Sequence, residues 1–372
     1  MGLIAKFAWI VLPALAGCGV LSQVSSQGTG THPGGKATLT NRSPENSAPF
    51  GAVRAQRVDV TVSFNPSKYA QEAGGRVYIT YPKAPNVANQ DLTVTGTIDG
   101  APMETIKDVN GREVLGGWAT SNSRNVTIRM TGTVFEREIR PGMSNPNARI
   151  TQREREMFTK PNWFVQHDRP QYRAGLKAAG LEKKSGEDAF DWAVRAGDWL
   201  ASNKRYARTG NASFNLEELW RFSEFNCNRT TDFLVAGARA NGFPARALPV
   251  IWLKDDGTVD YHSLAEVYSE KRGWVPIEGV KFFDLRGLSA REVVGVDNMS
   301  NTAKVALAVM KDAGLDYKVP NSARTQILSG YGQCFWITGE DGRFNVPIDP
   351  RFNKTAFSIA QVALGTSSPA GQ

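Results

Sequence analysis

Cys227 is the residue around which chemistry can be built. It stands in Phe225-Asn226-Cys227-Asn228, ahead of a helical pattern through Phe233, Leu234 and Ala238. A thiol at a helix N-terminus meets partial positive charge that favours the thiolate, and Arg229 lies nearby. A thiol nucleophile also needs a histidine to handle its proton and a third group to orient that histidine. The chain has three histidines, His32, His167 and His262, and only His262 follows the cysteine. Val259–Tyr268 alternates as a strand, and Trp274-Val275-Pro276-Ile277-Glu278 starts another. If Ser269–Gly273 joins them as a hairpin, Tyr268 faces Trp274, and His262 lies opposite or diagonal to Glu278 on one face. An oxyanion would take the Cys227 backbone N–H and one further donor. Trp220 is a weak candidate for that donor, with core packing as its alternative. No CxxC or His/Cys cluster suggests a metal, and no cofactor is expected.

The elements that must present these groups are legible in outline. Asn241-Gly242-Phe243-Pro244 carries helix-stop residues, Ala247–Leu253 reads as an apolar strand, and Lys254–Gly257 as a turn. Upstream, Ser185-x-x-Asp188 has the spacing of a capping box before Phe190, Ala193, Val194, Gly197 and Leu200, which recur at helical spacing. Trp192 and Trp199 flank that stripe as core residues, and His167 reads as structural.

The run Cys227 … Gly242-Phe243-Pro244-Ala245-Arg246 … His262-Ser263-Leu264-Ala265-Glu266-Val267-Tyr268 … Gly273-Trp274-Val275-Pro276-Ile277-Glu278 resembles the transglutaminase-like superfamily of papain-related domains. The resemblance implies Cys227 as nucleophile, His262 as base and Glu278 as third member. Three positions depart from the family pattern. Phe225-Asn226 stands where a Gly and then Asp or Gln are usual, Leu264 replaces a Trp, and Glu278 replaces Asp. Tyr331-Gly332-Gln333-Cys334-Phe335-Trp336 is closer to the active-cysteine segment of animal transglutaminases. However, no histidine follows Cys334, and Thr338–Arg343 reads as a turn between strands. Cys227 is therefore preferred. A structural disulfide between Cys227 and Cys334 in an oxidising compartment is the bland alternative for both.

The N-terminus reads as an address. Lys6, the apolar stretch Phe7–Leu15 and Leu15-Ala16-Gly17-Cys18 make a short export signal that resembles a bacterial lipobox. The resemblance implies cleavage before Cys18, lipidation of Cys18 and, with Gly19 next, the outer membrane facing the periplasm. Ser22–Ala55 is a Ser/Gly/Thr-rich tether with a span of roughly 30 Å. His32 is a bland residue within it. From Val58 to about Ile139 the pattern has period two: Val58, Val60, Val62 and Phe64, then Val77, Ile79 and Tyr81, then Val126, Ile128 and Met130. That predicts a β-sandwich. Pro141–Asn147 marks a boundary, and Arg149–Lys184 is dense in charge, read as a solvated face.

The expected class is therefore α+β, a transglutaminase-like (papain-like) core preceded by a β-sandwich. The division is 1–17 signal peptide, 18–55 lipidated Cys and tether, 56–145 sandwich, and 146–365 transglutaminase-like domain with its core at 186–290. With 372 residues, 41% hydrophobic and 22% charged, the chain is neither disordered nor a multi-pass membrane protein. Its net charge of +8 suits anionic surfaces, while nucleic acid is excluded by the export signal and the lack of a binding motif. The expected activity is cleavage or transfer of an amide in a protein or peptide, cell-wall peptides included, with hydrolysis preferred over cross-linking. A catalytically inactive, membrane-tethered binding or scaffold module is the alternative.

Overall fold

The computed structural model describes residues 49–367, apart from 84–86, 108–111, 163–164, 208–215, 255–258, 286, 297–299, 302–303, 309–314, 319–324, 329–334, 341–343 and 349–356. The export signal, Cys18, His32, the tether up to residue 48 and Cys334 lie outside the described residues.

The first segment is β1 (Ala52–Phe64), α1 (Ser67–Glu72), β2 (Arg76–Pro82), β3 (Gln90–Ile98), β4 (Ala101–Pro102), β5 (Glu104–Lys107), β6 (Glu113–Thr120) and β7 (Val126–Arg137). Its alternating residues do what their spacing predicts. Val58, Val60, Val62 and Phe64 are buried with Val77, Ile79, Tyr81, Val126, Ile128 and Met130 in one apolar core shared by two sheets. The β3–β4 turn is Asp99-Gly100, both at positive φ (49° and 85°). An Asp-Gly pair suits such a two-residue hairpin because the left-handed region costs Gly nothing and Asp little.

The middle segment is α2 (Gln152–Thr159), α3 (Pro170–Ala178), α4 (Ala189–Asn203), β8 (Arg205–Tyr206), β9 (Glu224–Phe225), α5 (Cys227–Ala240), β10 (Ala245–Lys254), β11 (Val259–Ser269), β12 (Gly273–Ile277) and α6 (Ala290–Val293). The last segment is β13 (Ser300–Asn301), β14 (Lys304–Ala308), β15 (Leu315–Lys318), β16 (Thr325–Leu328), β17 (Phe335–Gly339), β18 (Asn345–Ile348) and β19 (Phe357–Ser367). An antiparallel sheet in the order β12-β11-β10-β14-β13 forms the core layer, and β15 pairs with β16. Helices α4 and α5 bury Phe190, Trp192, Ala193, Phe233 and Leu234 against Ala245, Ala265, Val267, Val275 and Ile277 of that sheet.

The sandwich differs from the expected division at both ends: β1 begins at Ala52, inside the stretch read as tether, and the sandwich does not close at residue 145. Its sheets run β19-β1-β7-β3-β4 and β18-β17-β2-β6-β5. Strand β19 pairs antiparallel with β1 (Val60↔Gln361), and β17 with β2 (Ile337↔Ile79). The chain thus leaves the sandwich for the core and returns to finish both sheets. The reason is burial: Phe335 and Ile337 fill the sandwich core, and β19 pairs with β1 over its length.

The 140–148 stretch is pinned to the core rather than loose. The Asn145 N–H donates to Lys271 O (2.8 Å), the Ile139 N–H to Gly295 O (2.8 Å), and the Arg272 guanidinium to Pro141 O. Arg272 also pairs with Asp188 (2.7 Å), whose carboxylate takes the Ser269 hydroxyl as well (2.8 Å). Asp188 is the N-cap residue of α4, but its side chain makes no cap hydrogen bond. The capping box read at Ser185–Asp188 is therefore corrected: tertiary partners take the carboxylate. Capping boxes occur instead at Thr151/Glu154 and Ser289/Glu292.

His167 is structural in its contacts. It is buried, its Nδ1–H donates to Val165 O (3.3 Å), and burial together with the charge of Arg239 lowers its pKa from 6.5 to about 4. The unfolded chain therefore binds this proton first as pH falls. Stability is full above about 6.5 and declines as pH drops toward 4. We expect this one group to cost about 2 kcal/mol at pH 5 relative to pH 7. Urea midpoints at the two pH values should converge in His167→Asn, and an unchanged difference would refute the assignment.

Candidate active site

Helix α5 starts where the thiol needs it to start. Asn226 is its N-cap, extended in backbone, and its Oδ1 accepts the Arg229 N–H at 2.9 Å. Asparagine is among the preferred caps because its short amide reaches a helix N–H that has no intrahelical partner. Cys227 is consequently the first helical residue and only 2% exposed. Its Sγ–H donates to Asn228 Oδ1, with sulfur and oxygen 3.7 Å apart. Cys334, the other half of the disulfide alternative, lies outside the described residues.

Cys227 and Thr231 lie one turn apart on the same face of α5. The Thr231 hydroxyl donates to the Ser263 carbonyl at 3.0 Å, which ties that face to the strand residue after His262. The Arg229 guanidinium turns to the loop before the helix, over the Phe222 ring (3.9 Å) and onto Glu224 O (3.0 Å).

The hairpin register is the expected one, with Tyr268 opposite Trp274 and Ser269 opposite Gly273. Extending it past Ala265↔Ile277 puts Glu278 opposite Leu264 and diagonal to His262. There His262 Nε2 and Glu278 Oε1 meet at 2.7 Å, with the residues 5% and 4% exposed. The carboxylate accepts from Nε2–H, so exchange with a thiol falls to Nδ1. Of three other acids further along the chain, Asp284 is exposed at the end of the 3-10 turn Gly279–Phe283, and Asp297 and Asp349 lie outside the described residues.

Trp220 sits in an aromatic cluster with Tyr172 (5.6 Å), Trp199 (5.5 Å) and Phe233 (5.3 Å). Its indole lies flush on Gly175, where an added Cβ would stand 2.3 Å from the ring. Its Nε1–H is buried without a hydrogen-bond partner among the described residues. These contacts are those of the packing alternative. Phe225, the departure before Asn226, is fully buried beside Phe233 (5.9 Å).

Two residues of the motif have a role that spacing alone does not reveal. Arg246 and Glu266 face each other across β10 and β11 and form a fully buried ion pair (2.6 Å). The Arg246 guanidinium lies 3.9 Å over the Trp274 ring. Arg137, from sandwich strand β7, approaches the same carboxylate (3.8 Å) and donates to Trp274 O (2.8 Å).

The residue that sequence reading missed is Trp252. Its ring lies 4.2 Å from that of His262, tilted by 30°. The signal was available in the strand–turn–strand pattern, which puts Trp252 on the histidine's face, but it depends on the hairpin register. Leu264, which departs from the family's Trp, packs on that face with Val87, Leu248 and Val250. Among the described residues no group of three or more His, Cys, Asp or Glu side chains could hold a metal. Likewise no described helix is long and apolar enough to cross a membrane.

The sequence model of the transglutaminase-like superfamily matches residues 178–279, the stretch holding Cys227, His262 and Glu278. No curated protein sequence matches the chain. Among solved structures, a candidate cysteine protease from Cytophaga hutchinsonii is similar at 14% identity and TM-score 0.48, over 85% of this chain and 92% of that one. The periplasmic domain of TgpA from Pseudomonas aeruginosa is similar at 12% identity and TM-score 0.34, over 69% of this chain and all of that one.

Proposed function

Since residues 178–279 match the sequence model of the transglutaminase-like superfamily, we propose that the chain is a cysteine enzyme acting on amide bonds of proteins or peptides, cell-wall peptides included. Cys227 is its nucleophile, His262 its base and Glu278 its orienting acid. The observation that carries this reading is the 2.7 Å His262–Glu278 contact on the strand that Thr231 ties to the Cys227 helix.

The thiol proton passes to His262 Nδ1, and the sulfur attacks the carbonyl carbon. The tetrahedral oxyanion takes the Cys227 backbone N–H. Its collapse breaks the C–N bond, the imidazolium returns the proton to the leaving amine, and a thioester remains on Cys227. Water, deprotonated by His262, attacks the thioester to release the acid and the thiol. An amine in place of water gives transfer, and hydrolysis is the preferred outcome. Glu278 keeps the imidazole oriented and offsets its charge throughout. No metal or cofactor enters these steps.

The burial of Cys227 favours a second reading, a catalytically silent binding or scaffold module. Intact-mass analysis after incubation with a thiol-reactive peptide electrophile separates the two. A single adduct that is lost in Cys227→Ser and kept in Cys334→Ser supports the enzyme, and no adduct on the native chain supports the silent module.

For location we propose a lipid on Cys18 that anchors the protein at the periplasmic face of the outer membrane, with the tether giving it reach. The lipobox-like Leu15-Ala16-Gly17-Cys18 supports this. Multiple acyl chains hold a protein stably where one does not. Cys18→Ser should move the protein from the membrane to the soluble fraction without changing its fold. Retention of that variant in the membrane pellet would count against the anchor.

A further inference from the structure

We propose that Trp252 is a positioning residue of the His262–Glu278 pair, held over the imidazole by a wall to which the β-sandwich contributes. This rests on the cysteine-enzyme reading given above. Val250 lies directly opposite His262 across β10 and β11. Trp252, two residues along, is its diagonal neighbour on the same face, within reach of a large side chain. The next side chain back points the other way, because successive strand residues alternate. That residue is Ile251, and it is buried in the core of the β-sandwich. The sandwich thereby grips β10 at the position adjoining Trp252 and sets the direction in which the indole leaves the strand.

On the face of the sheet that carries His262, Leu248, Val250 and Leu264 cluster with Val87, which lies between sandwich strands β2 and β3. The indole packs against this apolar wall. At 4.2 Å and 30° it covers one side of the imidazole, the ring that holds the 2.7 Å bond to Glu278.

Two physical consequences follow. An aromatic face next to an imidazolium stabilises the cation, more so when the pair is out of water. A ring over the imidazole also excludes water that would compete for the carboxylate, and it restricts ring rotation. Both favour the state in which the sulfur has given its proton to His262.

The test is the rate of Cys227 alkylation by iodoacetamide, followed by mass spectrometry across a pH series. The proteins compared are full-length native chain, Trp252→Leu, Trp252→Met, Trp252→Phe and His262→Ala, with folding checked by far-UV circular dichroism. Trp252→Leu and Trp252→Met are expected to label roughly three- to thirtyfold more slowly at pH 7, the size of a desolvated cation–aromatic contact. Their rate–pH profile should move to the alkaline side, and Trp252→Phe should restore most of the rate. A purely packing role would lower stability while leaving the profile of the folded protein in place. Two non-aromatic variants guard against one failing to fold. If either folded variant labels like the native chain while His262→Ala is slow, the Trp252 assignment is overturned and the enzyme reading stands. If His262→Ala itself labels like the native chain, the enzyme reading falls and the Trp252 assignment falls with it.

Discussion

His262→Ala is expected to slow acylation of Cys227 by an activated ester about 10²- to 10⁴-fold near neutral pH, the range usual for a positioned general base. Cys227→Ser should show no thioester at all. The alanine variant loses the atom that takes the thiol proton, and it leaves Glu278, 4% exposed, without its 2.7 Å partner. Glu278→Gln should be milder, because a glutamine Oε1 still accepts the Nε2–H and keeps the ring oriented. What it loses is the negative charge that offsets the imidazolium. The ordering native, Glu278→Gln, His262→Ala is the diagnostic, read from burst kinetics or from intact-mass accumulation of the acyl-enzyme. Equal acylation of His262→Ala and the native chain would sink the mechanism.

Glu266→Ala should have the largest effect on stability. Its carboxylate is the anion for Arg246 at 2.6 Å and lies 3.8 Å from Arg137, with all three side chains at most 2% exposed. Removing one partner of a buried pair leaves a charge that water cannot reach, at a cost of about 3–5 kcal/mol. Here two guanidiniums would lose their anion, and one of them, Arg137, is the sandwich's contribution to the contact. The expected result is a drop of that size in unfolding free energy by urea titration. Loss of stability should involve the sandwich and the core together, because β7 and the β10–β12 sheet share the cluster. Glu266→Gln, which keeps shape and acceptor but not charge, should recover part of the loss. A Glu266→Ala protein within 1 kcal/mol of the native chain would show that the cluster is not holding the two layers.

The local elements were decided by the sequence itself. Alternation of Val58, Val60, Val62 and Phe64 dictated a half-buried strand. The stripe Phe190, Ala193, Gly197 and Leu200 dictated a helix against a core, and the helical pattern after Cys227 dictated a helix start at the thiol. The hairpin register followed from the Ser269–Gly273 turn, because side-chain direction in a strand has a strict period of two. That is why the meeting of His262 and Glu278 was legible without coordinates. Non-local choices were left to the tertiary structure. The turn read from Thr338 onward starts too early, because Thr338 and Gly339 still belong to strand β17, and nothing local says which sheet that strand joins. The apolar face of the sandwich decided that, drawing β17 and β19 back beside β2 and β1. Asp188 has the spacing of a cap partner, yet Arg272 and Ser269 outbid the helix for its carboxylate, because a buried charge must first be neutralised. The indole over His262 likewise depends on β10 being gripped by the sandwich through Ile251. That contact joins residues far apart in the chain, and hydrophobic packing between layers, not local propensity, selects it.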